Sequence, residues 1–133
     1  MKDNNWWVDV FGLDIEVFDT VPYFPKNPPL ENHHGILDVW AKHNIEGYQS
    51  RAAHNPTIAL TKEQHDKTKE VYRDWLEEKT GKRIGGKIEW TEVSNREAFQ
   101  LSERMFDAAN VPQEKREEYY RRFNQYIYSG CKE

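Results

Sequence analysis

The chain has 133 residues, of which 37% are hydrophobic and 32% charged, and its formal net charge is −4 at pH 7. This length suffices for one domain with a modest core, and no run approaches the roughly 18 apolar residues of a membrane-spanning helix. The single cysteine, Cys131, excludes an intrachain disulfide, so no oxidising compartment is indicated.

The charge is unevenly distributed along the chain. Residues 1–34 hold six acidic and two basic side chains and carry the whole net charge, which leaves residues 35–133 neutral. A negative chain is not typical of a general nucleic-acid binder, but a neutral body neither favours nor excludes a polyanionic substrate. The N-terminus lacks the apolar stretch of a signal peptide, so we expect any export to use another carrier.

The first thirty residues are expected to be extended and irregular. Four prolines between Pro22 and Pro29 exclude a helix there and favour polyproline or edge-strand geometry. After Gly35, the apolar spacing of "ILDVWAKHN" predicts a short helix. Asn55-Pro56 is a turn signal, and the "TIAL" that follows has the composition of a strand.

Three helices are predicted in the second half of the chain. Thr61 and Gln64 form a capping box before the clearest helical pattern, which places His65 on its apolar face. Ser94 and Glu97 begin a second helix in the same way, and a third follows an Asn-Val-Pro break. The predicted fold class is therefore α+β and mostly helical.

Four polar residues have the composition of a hydrolytic centre: His33, His34, Asn55 and His65. A one-metal phosphodiesterase needs ligands for a divalent cation, a neutral imidazole that deprotonates water, and an amide that orients this imidazole. Histidine suits the role of base because its unperturbed pKa is about 6.5. The ββα-metal arrangement has these groups in a fixed order. A ligand and the base come at the end of the first strand, the amide comes at the second strand, and another ligand lies early on the helix. The four residues of this chain follow the same order.

Each of these residues also has a more ordinary explanation. Paired histidines in a loop are usually solvated, and an asparagine before a proline is usually a turn residue. A lone histidine on an apolar helix face is more often a core residue whose hydrogen bonds are satisfied. The joint order and spacing favour the site. His43 and His54 have no partner at a useful spacing and are expected at the surface.

The stretch "NHHGILDVWAKHNIEGYQSRAAHNPTIALTKEQH" resembles the paired-histidine HNH/endonuclease VII-type nucleases of bacterial polymorphic toxins, and the similarity extends to residue 128. This resemblance implies a small ββα-metal core with additional C-terminal helices, metal-dependent cleavage of DNA and a cognate immunity protein. It implies His33 and His65 as metal ligands, His34 as the general base and Asn55 as the residue that orients it. Residues 31–133 would form the nuclease toxin domain.

Lys69 departs from the pattern of this family. Many HNH enzymes have a further ligand histidine at that position, and a protonated lysine is no metal ligand. A site with few protein ligands suits one Mg²⁺ ion that keeps most of its water better than Zn²⁺, which takes more protein ligands. Glu31 and Asp66 are candidates for an additional carboxylate ligand or a supporting group.

The N-terminal "NNWWVDVFGLD" is similar to the "DPxGL" segment that closes the core of Rhs-repeat proteins, with Asp9, Gly12 and Leu13 in place and Val10 instead of proline. Residues 1–30 would then hold the end of the Rhs core and a proline-rich linker. In that family a cut after the leucine releases the C-terminal toxin. The resemblance implies the rest of an Rhs protein as partner before cleavage, type VI secretion from the producing bacterium and action in the target-cell cytoplasm.

The basic loop "KTGKRIGGK" provides Lys82, Arg83 and Lys87 as candidate contacts to DNA phosphates, although an ordinary polar loop between helices explains it equally well.

Two alternatives to a DNase remain open. The same site could cleave RNA, because both polymers present the same phosphodiester. A non-catalytic helical interaction module is the alternative from another class, and divalent metals would not change its thermal melting.

Overall fold

The computed structural model describes residues 14–129, so the "DPxGL"-like residues 9–13 and Cys131 lie outside the described part. Within it, three strands and four helices follow one another: β1 Thr20–Pro22, β2 Glu31–His33, α1 Asp38–Asn44, β3 Pro56–Leu60, α2 Lys62–Thr80, α3 Asn95–Ala108 and α4 Gln113–Tyr128. A single 3-10 turn at Trp90–Glu92 separates α2 from α3 in this part of the chain. The predicted α+β fold, in which helices dominate, is confirmed.

The sheet is antiparallel with the strand order β1-β3-β2. β3 is the central strand, and all 5 of its residues are buried. The edge strand β1 lies in the segment that was expected to be extended and irregular, with polyproline or edge-strand geometry. Thr20 of this strand stands opposite Ile58. An edge position tolerates Pro22, because an edge residue can do without a backbone donor on its open side.

β2, β3 and α2 together form the predicted ββα unit. The Thr61 side chain accepts a hydrogen bond from the Gln64 backbone N–H, and the Gln64 side chain accepts one from the Thr61 backbone N–H. The predicted capping box is therefore present, and α2 begins directly after β3. The helix stops at Gly81, whose φ of 78° lies in the left-handed region that glycine adopts without a Cβ penalty.

One apolar core joins the sheet to the helices. β3 and all four helices contribute buried side chains to it, among them Trp40, Ile58, Leu60, Trp75, Leu101, Phe106, Tyr119 and Phe123. The Tyr119 hydroxyl accepts a hydrogen bond of 2.8 Å from the Ile36 backbone N–H. This bond fastens the segment after the paired histidines to α4.

Gly35, which follows the paired histidines, lies against two aromatic rings. A Cβ atom at this position would stand 2.6 Å from Cζ of Phe106 and 2.7 Å from Cε2 of Tyr119. Both rings are fully buried and have no room to retreat. The absence of a side chain therefore lets the chain pass close enough to the core to place His33 and His34.

Gly35→Ala should consequently destabilise the fold. We expect the overpacking to lower the free energy of unfolding by about 1–3 kcal/mol, measured as a lower urea midpoint with an unchanged m-value. An unaltered midpoint would contradict the close packing described for this glycine.

Candidate functional site

Strand alternation and the start of α2 bring three polar side chains together. Glu31 and His33 are two residues apart on β2 and therefore share one face of the strand, and His65 lies early on α2. Oε1 of Glu31 is 2.6 Å from Nδ1 of His65. The ring centroids of His33 and His65 are 5.4 Å apart in an edge-to-face arrangement. The two histidines considered as metal ligands are thus neighbours.

His33 is buried in a way that keeps it uncharged. Its pKa lies well below the usual value, first because of burial and then because of the charges of His65 and His34. Its Nε2 atom is buried and has no hydrogen-bond partner anywhere in residues 14–129. A buried polar atom without a partner is costly, so this nitrogen is suited to a ligand.

His34 follows the end of β2 and is mostly buried. Its Nε2 atom lies 3.6 Å from Oδ1 of Asp38, and its ring centroid is 4.8 Å from that of Tyr23. Burial is the main cause that lowers the pKa of His34, and Asp38 opposes this shift. The neutral imidazole that results is the form that a general base requires.

Asp38 is a neighbour of His34 that the sequence interpretation missed. Its Oδ1 accepts hydrogen bonds from the Tyr48 hydroxyl at 2.8 Å and the Arg51 backbone N–H at 3.1 Å, and its Oδ2 accepts one from the Ser50 hydroxyl at 2.5 Å. Burial raises the pKa of Asp38, but these three hydrogen bonds outweigh it and hold the pKa below its usual value. Asp38 stands four residues after His34, but residues 34–37 are not helical, so the spacing rule of helices could not have revealed this contact.

Asn55 is fully buried, and its side chain bonds elsewhere than predicted. Nδ2 donates to the Gln49 backbone oxygen at 2.9 Å and to Oδ1 of Asp38 at 3.5 Å, while Oδ1 accepts a hydrogen bond of 2.7 Å from the Tyr126 hydroxyl. Among the described residues, no hydrogen bond joins Asn55 directly to His34. Any influence of Asn55 on that imidazole passes through Asp38.

The two candidate carboxylates differ in their surroundings. Asp66 is half-exposed and pairs with Lys62 at 2.9 Å and with Lys69 at 3.8 Å. Glu31 instead contacts His65 directly. The structure thus brings Glu31, and not Asp66, into the histidine group, where it supports His65.

The three histidines line one open cavity of about 410 Å³, together with Tyr23, Lys26 and Lys69. Nζ of Lys26 stands 5.0 Å from the centroid of the Tyr23 ring. A larger cavity of about 530 Å³ lies among α1, α3 and α4 and contains none of the histidines. The chemistry of the side chains therefore points to the smaller cavity as the site.

The basic loop after α2 is partly neutralised. Arg83 forms salt bridges of 2.6, 3.4 and 3.5 Å with three acidic residues of α2: Asp74, Glu70 and Glu77. Lys82 and Lys87 are exposed, and none of the three basic residues lines the histidine cavity. Phosphate contact by this loop stays a prediction. The position of the loop outside the histidine cavity does not support it.

The histidine pair fits a divalent metal ion with few protein ligands. The buried Nε2 of His33 has no partner among the described residues. When Nδ1–H of His65 donates to Oε1 of Glu31, Nε2 of that ring is left for the metal, a common carboxylate–histidine arrangement. Residues 14–129 contain no group of 3 or more histidine, cysteine or acidic side chains that could hold a metal. Water and phosphate oxygens would complete the shell, as Mg²⁺ prefers.

Residues 27–128 match the family model Tox-SHH, which describes toxins of the HNH/Endo VII superfamily that have an SHH signature. The chain belongs to the Tox-SHH family. The matched region includes His33, His34, Asn55 and His65 and begins after β1. No solved structure matches this Tox-SHH chain. In its described part, none of the helices combines the length and apolar character needed to cross a membrane.

Membership in this family supports a nuclease toxin, and HNH nucleases generally use a divalent metal.

In this Tox-SHH domain, Glu31→Gln should weaken the binding of Mn²⁺ about 10- to 100-fold, because an amide holds the His65 ring less firmly than a carboxylate. Isothermal titration calorimetry on the purified protein measures this. Asp66→Asn removes the same charge one residue from His65 and should bind Mn²⁺ like the parent. An equal loss in both variants would contradict a specific role for Glu31.

Proposed function

We propose that this Tox-SHH domain is an antibacterial endonuclease that hydrolyses DNA phosphodiester bonds with one divalent metal ion. One observation carries the proposal: His33, His34 and His65 line a single open cavity, and the buried Nε2 of His33 has no hydrogen-bond partner in the described chain. Burial lowers the pKa of His33 and His34 and keeps both imidazoles neutral, and a cavity with such groups on its wall suits hydrolysis of a phosphodiester better than a purely structural role. The family membership supports the same class of activity.

The three histidines divide two tasks in this proposal. His33 and His65 hold the ion, expected to be Mg²⁺ rather than Zn²⁺ because so few protein ligands are present. When bound there, the ion would stabilise the charge on the scissile phosphate and the leaving oxygen. His34 accepts the proton of the attacking water, and burial, which lowers its pKa, keeps it neutral for this task. Asn55 supports this base indirectly, through the loop that it fastens.

Two lysines at the cavity are suited to the phosphates of a bound strand. Lys26, from the proline-rich loop, is exposed, and Lys69, on α2, is half-exposed. Both line the cavity that holds the histidines. Phosphates on either side of the scissile bond would come within reach of these cations, which position the backbone without reading sequence.

Delivery and partners are inferred from the family and from the N-terminal resemblance. A toxin family of this kind suggests a secreted effector that acts in target cells and is neutralised by a cognate immunity protein. The "DPxGL"-like segment supports release from an Rhs protein by a cut after Leu13 and export by type VI secretion. In this proposal residues 31–133 form the nuclease domain, and β1 from the preceding segment completes its sheet.

His34→Ala should abolish cleavage without unfolding the protein. We expect the parent protein to nick supercoiled plasmid in the presence of Mg²⁺ or Mn²⁺, and we expect EDTA to stop the reaction. The variant lacks the general base and should cleave at least about 100-fold more slowly. The melting temperature of the variant is the control for folding.

A His34→Ala variant that cuts as fast as the parent would overturn the assignment of the base. Total RNA incubated in parallel distinguishes the two nucleic acids. Cleavage of RNA with intact plasmid would reassign the substrate and leave the chemistry unchanged.

Replacement of both cavity lysines should weaken substrate binding in a salt-dependent way. In the inactive His34→Ala background, Lys26→Ala with Lys69→Ala should reduce the slope of log affinity against log salt by about 2, since each phosphate contact contributes close to one. Fluorescence anisotropy with a labelled DNA duplex measures this slope.

The matched control is Lys82→Ala with Lys87→Ala, which removes the same charge from the exposed loop after α2. It should leave the salt slope close to that of the parent. A larger effect from this control pair would transfer the phosphate contacts to the basic loop.

A further inference from the structure

Asp38 is a fixed anion beside His34, at the first residue of α1. We propose that Asp38 is the positioning residue of the general base, and that its carboxylate turns the His34 ring so that Nδ1 faces the attacking water. This inference rests on the proposed role of His34. It assigns to an acidic residue the orienting task that the sequence pattern gave to Asn55.

The Asp38 carboxylate is held in one place by the loop that follows α1. Four donors converge on it: the Tyr48 hydroxyl, the Ser50 hydroxyl and the Arg51 backbone N–H at 2.5 to 3.1 Å, and Nδ2 of Asn55 at 3.5 Å. Both oxygens of the Asp38 carboxylate accept hydrogen bonds. The carboxylate therefore cannot rotate away from His34 without breaking at least one of these bonds. A positioning group needs this rigidity.

The position of the carboxylate determines which ring nitrogen carries the proton. Oδ1 of Asp38 faces Nε2 of His34 at 3.6 Å, and Nε2 is buried without a hydrogen-bond partner in the described residues. A lone pair on Nε2 would be repelled by the negative oxygen, whereas an N–H would be attracted. The proton therefore belongs on Nε2, and the lone pair of Nδ1 is left to accept the proton of water.

The contact is longer than a hydrogen bond. Catalytic contacts are often long in a protein without substrate and shorten when substrate binds. Asp38 also faces the charge that develops during the reaction, because His34 becomes an imidazolium when it takes the proton. Oδ1 of Asp38 lies 3.6 Å from Nε2 of this ring, so its negative charge stabilises the cation that forms.

Asn55 has a different role from Asp38. Its amide donates at 2.9 Å to the Gln49 backbone oxygen and accepts at 2.7 Å from the Tyr126 hydroxyl, while it reaches Asp38 only at 3.5 Å. These bonds fasten the loop before β3 to α4. Asn55 therefore stabilises the loop that carries the donors to Asp38. Of Asn55 and Asp38, it is Asp38 that faces the His34 ring.

Asp38→Asn tests this inference, because it removes the charge and keeps the shape. We expect the kcat of plasmid nicking to fall about 10- to 100-fold, with KM within about threefold of the parent. Asp38→Glu, which keeps the charge on a longer side chain, should recover part of the lost kcat. Asp74→Asn is the matched control, since it removes the same charge from an exposed residue of α2 whose partner is Arg83. It should leave kcat within about threefold of the parent.

A second measurement does not depend on cleavage. The ¹⁵N chemical shifts of the His34 ring in the metal-free protein, at mildly alkaline pH, should show the proton on Nε2. In Asp38→Asn the two tautomers should be mixed. A proton on Nδ1 in the parent, or parent-like kcat in Asp38→Asn, would overturn the positioning role. A parent protein that cleaves neither DNA nor RNA would overturn the proposed function instead, and the tautomer would still decide the positioning role.

Discussion

The pairing of β2 with β3 determines where the candidate site lies. Glu31 stands opposite Leu60 in the register of these strands, and α2 begins directly after β3, so the start of β2 lies beside the first turns of the helix. Alternation then turns Glu31 and His33 to one face and Asn32 to the other. Nδ2 of Asn32 donates to the backbone oxygens of Tyr23 and Pro22 at 2.9 and 3.3 Å, at the end of β1. A register shift of one residue would turn Glu31 and His33 away from His65.

Those parts of the fold that depend on neighbouring residues could be predicted from the sequence. The capping box of Thr61 and Gln64 and the stop at Gly81 are local signals, and the structure contains both. The order of strand, strand and helix followed from the same local patterns. Because a ββα unit places the ends of its elements together, this order was enough to bring His33 and His65 side by side.

Contacts between distant segments could not be predicted in this way. The bond from Tyr126 to Asn55 joins residues 71 apart, and only the folded chain shows that it occupies the amide that was expected to serve His34. The bounds of β1 could not be predicted, because the nearby prolines are compatible with polyproline as well as edge-strand geometry and the strand has only 3 residues. The charge of the basic loop also depends on tertiary structure, since Arg83 is compensated by acidic residues on α2.

The short strand β1 has a consequence for where this chain can be cut. Its three residues cover one edge of β3, a strand buried along its whole length. A chain that starts at Asp14 keeps this cover, whereas a fragment that starts at residue 31 lacks it. An uncovered apolar strand edge is a template on which further chains add strands and aggregate. A cut between β1 and β2 would therefore change β3 from an interior strand into an exposed edge strand.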